Sequence, residues 1–260
     1  MGRKKVNIFT VPRDGTQGEK ISQMCATLDL GGIASSFKRV AEKLQKSHAT
    51  LFDLLENLLE KEMTWREEKR ISRWEQLAHF PFKGTIQEFD FDFPESIDRG
   101  QINELLSFRF IESGKNIVFL GPPGVGKTHL AVAFGLEAIY RGHEARFLTL
   151  DELIERVEKA DQIFSLRLFR TFMRPRLLIL DDIDYYDTGK NASAFLFKLV
   201  KERHARSLST IFTSNKDFSG WRDLFGNPEK AGGAIDRIVG RAVIIKIEGE
   251  SYRIKGKSKK

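Results

Sequence analysis

The sequence predicts an α/β chain, with a mostly parallel five-stranded sheet flanked by helices and a small all-α domain in front of it. Three observations carry this expectation. From Asn116 onward, short apolar runs of strand length alternate with longer stretches of helical spacing, the order of a parallel sheet covered on both faces. The first apolar run passes into a helical one through a glycine-rich turn, Gly121–Gly126. Ahead of residue 79 the apolar positions recur at helical spacing among mixed charges.

Taken in order, residues 1–20 are polar, charged and rich in glycine, and are expected to form a disordered basic tail. A helical domain is expected over 21–78. Ile21, Met24 and Leu28, followed by Ile33, Phe37, Val40 and Leu44, give its first helical spacing. A further helix is expected to start at Thr50, with Asp53 as its capping partner and Leu51, Leu54, Leu55, Leu58 and Leu59 as its apolar face. Opposite charges three or four apart carry that helix through Lys61–Arg73. Residues 79–100 are expected to be a linker, punctuated by Pro81, Gly84 and Pro94. Within it Phe89, Phe91 and Phe93 alternate with Asp90 and Asp92, which reads as a short extended segment laying its rings on a neighbouring domain. The main domain spans 101–252. It starts with a helix at Ile102–Ile111, and its strands are expected at Asn116–Leu120, Ala145–Leu150, Leu177–Leu180, Ser209–Thr213 and Val243–Ile247. Helices at Lys127–Arg141, Asp151–Lys159 and Ala192–Arg206 fill intervals between them. Residues 253–260 hold five basic residues and no acid, and form a second basic tail.

Composition narrows the classes. The 260 residues are 41% hydrophobic and 30% charged, ordinary for a globular protein. The single Cys25 excludes an internal disulfide. No apolar run reaches the length of a membrane span, and no apolar segment follows the basic Met1–Lys5, so a cytoplasmic protein without a membrane partner is expected. The five histidines are scattered without metal-ligand spacing, which argues against a transition-metal site. A formal net charge of +7 and a pI near 9.4 favour polyanionic partners, because Lys and Arg that neutralise phosphates release counterions. Charge alone fits a merely basic protein equally well.

Gly121-Pro122-Pro123-Gly124-Val125-Gly126-Lys127-Thr128 satisfies the pattern G-x-x-x-x-G-K-[ST] in full. Its glycines let successive backbone N–H groups point at phosphates, and the helix that follows aims its positive end at the same place. Lys127 is expected to reach the β- and γ-phosphates of ATP, and the Thr128 hydroxyl to bind Mg²⁺. The run Leu177–Leu180 ends in Asp181 and Asp182, the first lying 54 residues beyond Lys127. In a P-loop enzyme Asp181 would hold the Mg²⁺ shell and Asp182 would polarise the attacking water. On its own an Asp-Asp pair is also a common turn signal. The run Ser209–Ser214 closes on Asn215, at the end of a parallel strand where ligands bind; it is placed to hydrogen-bond the γ-phosphate or the water, or simply to turn the chain.

In this order and spacing the three elements resemble the AAA+ superfamily. Gly121–Leu130, Thr213–Trp221 and Ile247–Tyr252 narrow the resemblance to the IstB family, ATP-dependent helpers of insertion-sequence transposition related to the DnaC helicase loader. It runs from about Ile21 to Arg253. It implies nucleotide contacts from Gly121 through Lys127, Thr128 and His129, and metal binding through Thr128 and Asp181. It also implies catalytic roles for Asp182, Asn215 and Arg237, the last acting on a neighbouring subunit's ATP; Arg241 is the runner-up. The partners implied are duplex DNA, further copies of this chain with ATP sites at the subunit interfaces, and the transposase of the same mobile element. The chain departs from the usual AAA+ pattern at Asp182, where Glu is usual. The shorter side chain draws the carboxylate back by roughly 1.5 Å, so hydrolysis is expected to be slow. Arg167, Arg170, Arg174 and Arg176 before the Asp181 run, with Lys190 after it, are candidate phosphate contacts. No recognition helix or zinc pattern appears, so binding to DNA is expected to be largely independent of base sequence. A DnaC-like helicase loader, a small-molecule P-loop kinase and a nucleotide-gated DNA scaffold are the alternatives.

Overall fold

The computed structural model describes residues 16–45, 50–93, 96–184 and 188–252. The tail up to residue 15, Pro94, the basic tail 253–260 and the side chain of Leu44 therefore lie outside the described residues. The chain divides into two compact units, residues 1–73 and 74–260.

The first unit is helical. Helix α1 (Gln17–Thr27) begins inside the stretch expected to be disordered, because Thr16 and Glu19 cap it reciprocally. The Thr16 N–H donates to Glu19 Oε2 at 2.6 Å, and the Glu19 N–H donates to Thr16 Oγ1 at 3.3 Å. Helix α2 (Gly31–Gln45) starts against α3 (Leu51–Ala78), where Gly31 and Gly32 leave no room for a side chain: a Cβ on Gly31 would stand 2.0 Å from the Trp65 ring. The buried Glu62 carboxylate accepts the Gly32 and Ile33 N–H groups at 2.9 and 3.1 Å, placing an anion at the positive end of α2. Thr50 and Asp53 cap α3 as the sequence predicts, with the Thr50 N–H donating to Asp53 Oδ2 at 2.6 Å. Of the expected apolar face, Leu54 and Leu58 are half-buried, whereas Leu51, Leu55 and Leu59 are exposed. Of these leucines, the two in the row four residues apart that leads to Glu62 face inward, and Trp65 beyond them meets Gly31.

The last turn of α3 belongs to the second unit, where the Leu77 carbonyl accepts the Arg146 guanidinium at 3.1 and 3.2 Å. Then follow α4 (Arg99–Leu105), α5 (Arg109–Glu112), β1 (Asn116–Leu120), α6 (Lys127–Tyr140), β2 (Ala145–Thr149), α7 (Leu150–Glu158), α8 (Gln162–Met173) and β3 (Leu177–Asp181). The remainder is α9 (Gly189–Ala205), β4 (Ser209–Ser214), a 3₁₀ segment (Phe218–Phe225), α10 (Pro228–Val239) and β5 (Ala242–Lys246). The five strands expected from the sequence form one sheet, all parallel, and the structure sets their order as β2-β3-β4-β1-β5. β1, β3 and β4 are buried along their whole length, which is why they read as unbroken apolar runs. Pairing Leu120 with Ser214, and Leu180 with Phe212, brings the carboxyl ends of these strands together below the glycine-rich turn.

Two further expectations are corrected. The helix expected over Ile102–Ile111 is two short helices, because buried Phe108 takes a left-handed backbone (φ 60°) to pack its ring near Phe110, Phe134 and His143. The Phe89–Phe93 stretch is a pair of turns, not an extended segment. The Phe89 N–H donates to the Ile86 carbonyl at 3.3 Å, and Asp90 Oδ1 takes the Asp92 N–H at 3.0 Å, so local carbonyls and carboxylates replace a strand partner. Of its phenylalanines, Phe89 is buried and Phe91 and Phe93 are half-buried. Helices α8 and α10 and the 3₁₀ segment were not anticipated. Among the described residues, no helix is long and apolar enough to cross a membrane.

Candidate functional site

The turn between β1 and α6 needs its glycines for stated reasons. Gly124 (φ 85°) and Gly126 (φ 96°) take the left-handed backbone, and a Cβ on them would meet Ser251 Oγ at 2.1 Å and the Phe89 ring at 2.6 Å. The chain thus turns tightly enough to start α6 at Lys127, with its first N–H groups directed into the turn. Buried Lys127 donates from Nζ to the Gly121 and Pro122 carbonyls, both at 2.8 Å, and to Asn215 Oδ1 at 2.7 Å.

Behind the turn, β3 delivers Asp181. Its two oxygens accept the Thr128 hydroxyl at 3.0 Å each, and Oδ1 accepts Thr213 Oγ1 at 2.5 Å. Burial pushes the Asp181 carboxyl up, and neighbouring Asp182 adds to that; hydrogen bonds from Thr213 and Thr128 and the charge of Lys127 oppose both, without cancelling them. A cation would remove the penalty. Hydroxyl and carboxylate oxygens suit Mg²⁺, which typically takes one or two protein oxygens and completes its shell with phosphates and water. No group of three or more His, Cys, Asp or Glu able to hold a metal occurs among the described residues. Asp182 follows in a left-handed conformation (φ 53°), its N–H held by Thr213 Oγ1 at 2.9 Å.

These residues surround one cavity of about 390 Å³. Pro123, Gly124, Val125, Gly126, Lys127, Thr128, His129, Asp182 and Asn215 line it, with Asp181 directly behind Thr128. Gly121 and Pro122 hold Lys127 through their carbonyls. The wall that the sequence reading missed comprises Phe82, Glu88, Phe89, Asp90, Phe93 and Tyr252. His129 joins that wall to α6: its ring lies between Phe82 and Phe89, at 5.8 and 5.6 Å, and its Nε2–H donates to the Thr85 carbonyl at 3.0 Å. On the other side the Tyr252 N–H donates to the Gly124 carbonyl at 3.0 Å, and the Tyr252 ring meets Phe93 edge-on at 5.4 Å. The available signals were the Phe/Asp alternation and the Glu-Ser-Tyr phrase, each distant in sequence from the glycine turn.

Arg237 is not part of this wall. It is half-buried on α10 and donates from Nη1 to the Gly233 carbonyl of its own helix; among the described residues it makes no ion pair with Asp236. Arg241 is exposed. Arg167 and Arg170 are exposed on α8, alongside exposed Ile163, Phe164 and Leu166. Arg174 and Arg176 follow α8, and Arg174 is ion-paired with Glu144 at 3.1 Å. Lys190 is exposed on the first turn of α9.

Comparison with known proteins identifies the family and the fold. The family model for IstB-like ATP binding proteins matches residues 23–260. A Geobacillus stearothermophilus protein named as an ATP-binding protein of insertion sequence IS5376 is 35% identical over 240 residues, 92% of this chain and 95% of that one. One from Pseudomonas aeruginosa, named for insertion sequence IS21, is 34% identical over 92% of this chain and 91% of its own. Among solved structures, DnaI aligns with a TM-score of 0.52 at 23% identity, over 68% of this chain and 92% of that one. AMPPCP-bound DnaA from Aquifex aeolicus gives 0.52 at 20% identity, over 70% of this chain and 56% of that one. These two likenesses concern the fold.

Proposed function

Because the chain belongs to the family of IstB-like ATP binding proteins, we propose that it is an ATPase that assembles on duplex DNA and serves the transposase of the same mobile element. The observation that carries the ATPase reading is the convergence of Lys127, Thr128, Asp181, Asp182 and Asn215 at one cavity beneath the glycine turn. Lys127 and the N–H groups of the turn hold the phosphates. Thr128 and Asp181 would hold Mg²⁺, which would supply positive charge to offset that of the phosphates. Asp182 accepts a proton from the attacking water, and Asn215 donates to the γ-phosphate or that water. The aromatic wall of Phe89, Phe93 and Tyr252 encloses the base, with Glu88 and Asp90 as acceptors for its amino group or for the ribose hydroxyls.

Arg237 acts across a subunit boundary, stabilising charge that develops on a neighbour's ATP. Its bond to its own Gly233 carbonyl exchanges for phosphate when subunits meet. DNA is held through its phosphates by Arg167, Arg170, Arg174 and Lys190, largely independently of base sequence. The insertion-sequence relatives support the transposition role, and a cytoplasmic site of action fits it. Subunits joined through ATP would form a curved array on which the DNA bends. Bending 20–30 base pairs costs on the order of 1–6 kcal/mol, which several phosphate contacts offset.

The test measures ATP turnover, ATP-dependent retardation of duplex DNA, and strand transfer by the purified transposase with and without this protein. Stimulation of strand transfer that requires ATP supports the reading. Strand transfer indifferent to the protein, together with binding of a replicative helicase, would assign it to helicase loading instead.

A further inference from the structure

We propose that Asp184 is a positioning residue that fixes the orientation of the Asn215 amide, so that an N–H rather than the carbonyl oxygen serves the terminal phosphate. This rests on the nucleotide reading above and adds to it a residue that does not line the cavity.

Asp184 lies three residues beyond Asp181 and is half-buried. Its carboxylate takes three hydrogen bonds from the end of β4. Oδ1 accepts the Ser214 hydroxyl at 3.0 Å and the Asn215 N–H at 2.8 Å, while Oδ2 accepts Asn215 Nδ2. On its far side the same amide offers Oδ1 to Lys127 Nζ at 2.7 Å. An ionised carboxylate only accepts and an ammonium only donates, so the two partners specify one flip of the amide. The second Nδ2 hydrogen is then available to the cavity that Asn215 lines. When Lys127 turns to phosphate it ceases to hold Oδ1, and Asp184 becomes the group that still fixes the flip. Without it, rotation about χ2 would set a carbonyl oxygen against the phosphate. The grip reaches further: Ser214 Oγ, bonded to Asp184, accepts the indole N–H of fully buried Trp221 at 3.1 Å, anchoring the strand end from which Asn215 projects.

Asp184→Asn tests this because it keeps the shape and turns one acceptor into a donor, which favours the wrong flip. The preference for ATP over ADP, measured by equilibrium titration of the full chain with fluorescent analogues of each, reads the terminal phosphate without requiring turnover. Asn215→Ala should lower that preference about tenfold or more, as loss of a hydrogen bond to a charged group does. Asp184→Asn should match it within about threefold while leaving ADP affinity and the thermal midpoint in place. The double variant should be no worse than Asn215→Ala alone, since both remove one interaction. Asp184→Glu, which keeps the acceptor pattern on a longer arm, should retain more of the preference than Asp184→Asn, and stands in for it should that variant fail to fold. An unchanged preference in Asp184→Asn, losses that multiply in the double variant, or a wild-type chain without the preference would overturn the proposal. Lys127→Ala, carried in parallel, separates the two readings: if it binds ATP as wild type does, the nucleotide reading itself fails.

Discussion

Replacing Lys127 with alanine removes a buried ammonium that donates at 2.7–2.8 Å to three oxygens at the mouth of the glycine turn. Those three acceptors are neutral and the two carbonyls can turn to water in the cavity, but buried Asp181 also loses an offsetting charge, so the variant should fold with a somewhat lower thermal midpoint. ATP feels the loss differently. Bound phosphates would exchange neutral acceptors for anionic ones around the same nitrogen, and charge-assisted hydrogen bonds are worth about 1.5–3 kcal/mol each. Two such bonds, about 3–6 kcal/mol, less about 1 kcal/mol for the contacts the lysine gives up, leave a net loss of about 2–5 kcal/mol. At about 1.4 kcal/mol per decade this weakens ATP binding by roughly 30- to 3,000-fold. Equilibrium titration with labelled ATP measures it, and the thermal midpoint of each variant controls for folding. A variant that folds and binds ATP within about threefold of wild type would refute the assignment of Lys127 to the phosphates.

Arg237→Ala should bind ATP normally and hydrolyse it poorly, while mixing it with Lys127→Ala should restore part of the activity at hybrid interfaces. Mixtures shown to co-assemble without rescue would make its role local, like its bond to Gly233. Neutralising Arg167, Arg170 and Arg174 together should flatten the slope of log affinity for duplex DNA against log salt. Because Arg174 is already paired with Glu144, the change should be about 2, rather than the roughly 2.7 that three equal phosphate contacts would give. An unchanged slope would move the DNA to another face. In the first unit, burial raises the Glu62 pKa, but bonds from Arg66 and the Ile33 and Gly32 N–H groups outweigh it, so the folded pKa is lowered. The stabilisation is therefore full above the unfolded value of about 4.3 and is lost as pH falls through the lower folded value. Glu62→Gln should cost about 1 kcal/mol at neutral pH, read as faster hydrogen exchange at Gly32 and Ile33. Unchanged exchange there would remove Glu62 as the cap of α2.

The sequence by itself determined the parallel sheet and the phosphate-binding end of the site. Strands buried on both faces must be apolar throughout, so β1, β3 and β4 announce themselves as runs. The glycine turn is a local device whose geometry is written in consecutive residues, and the acids after β3 and the asparagine after β4 follow from the rule that ligands meet strand ends. Contiguity alone was not enough: α8, α10 and the 3₁₀ segment are local too, yet they carry no such uniform run or fixed motif.

Tertiary structure alone decided which distant segments close the cavity and which charges hold the catalytic candidates. Phe89 and Ser251 reach the turn because Gly126 and Gly124 lack side chains there, and Tyr252 follows Ser251 to bond the Gly124 carbonyl, a steric complementarity that no period reveals. Nothing in the sequence singles out Asp184, and the parallel pairing of β3 with β4 sets its carboxylate against Asn215. The inward row of α3 was likewise fixed by where Gly31 and Gly32 allow α2 to approach. Helical periodicity marks every apolar position alike, whereas burial depends on which neighbour arrives.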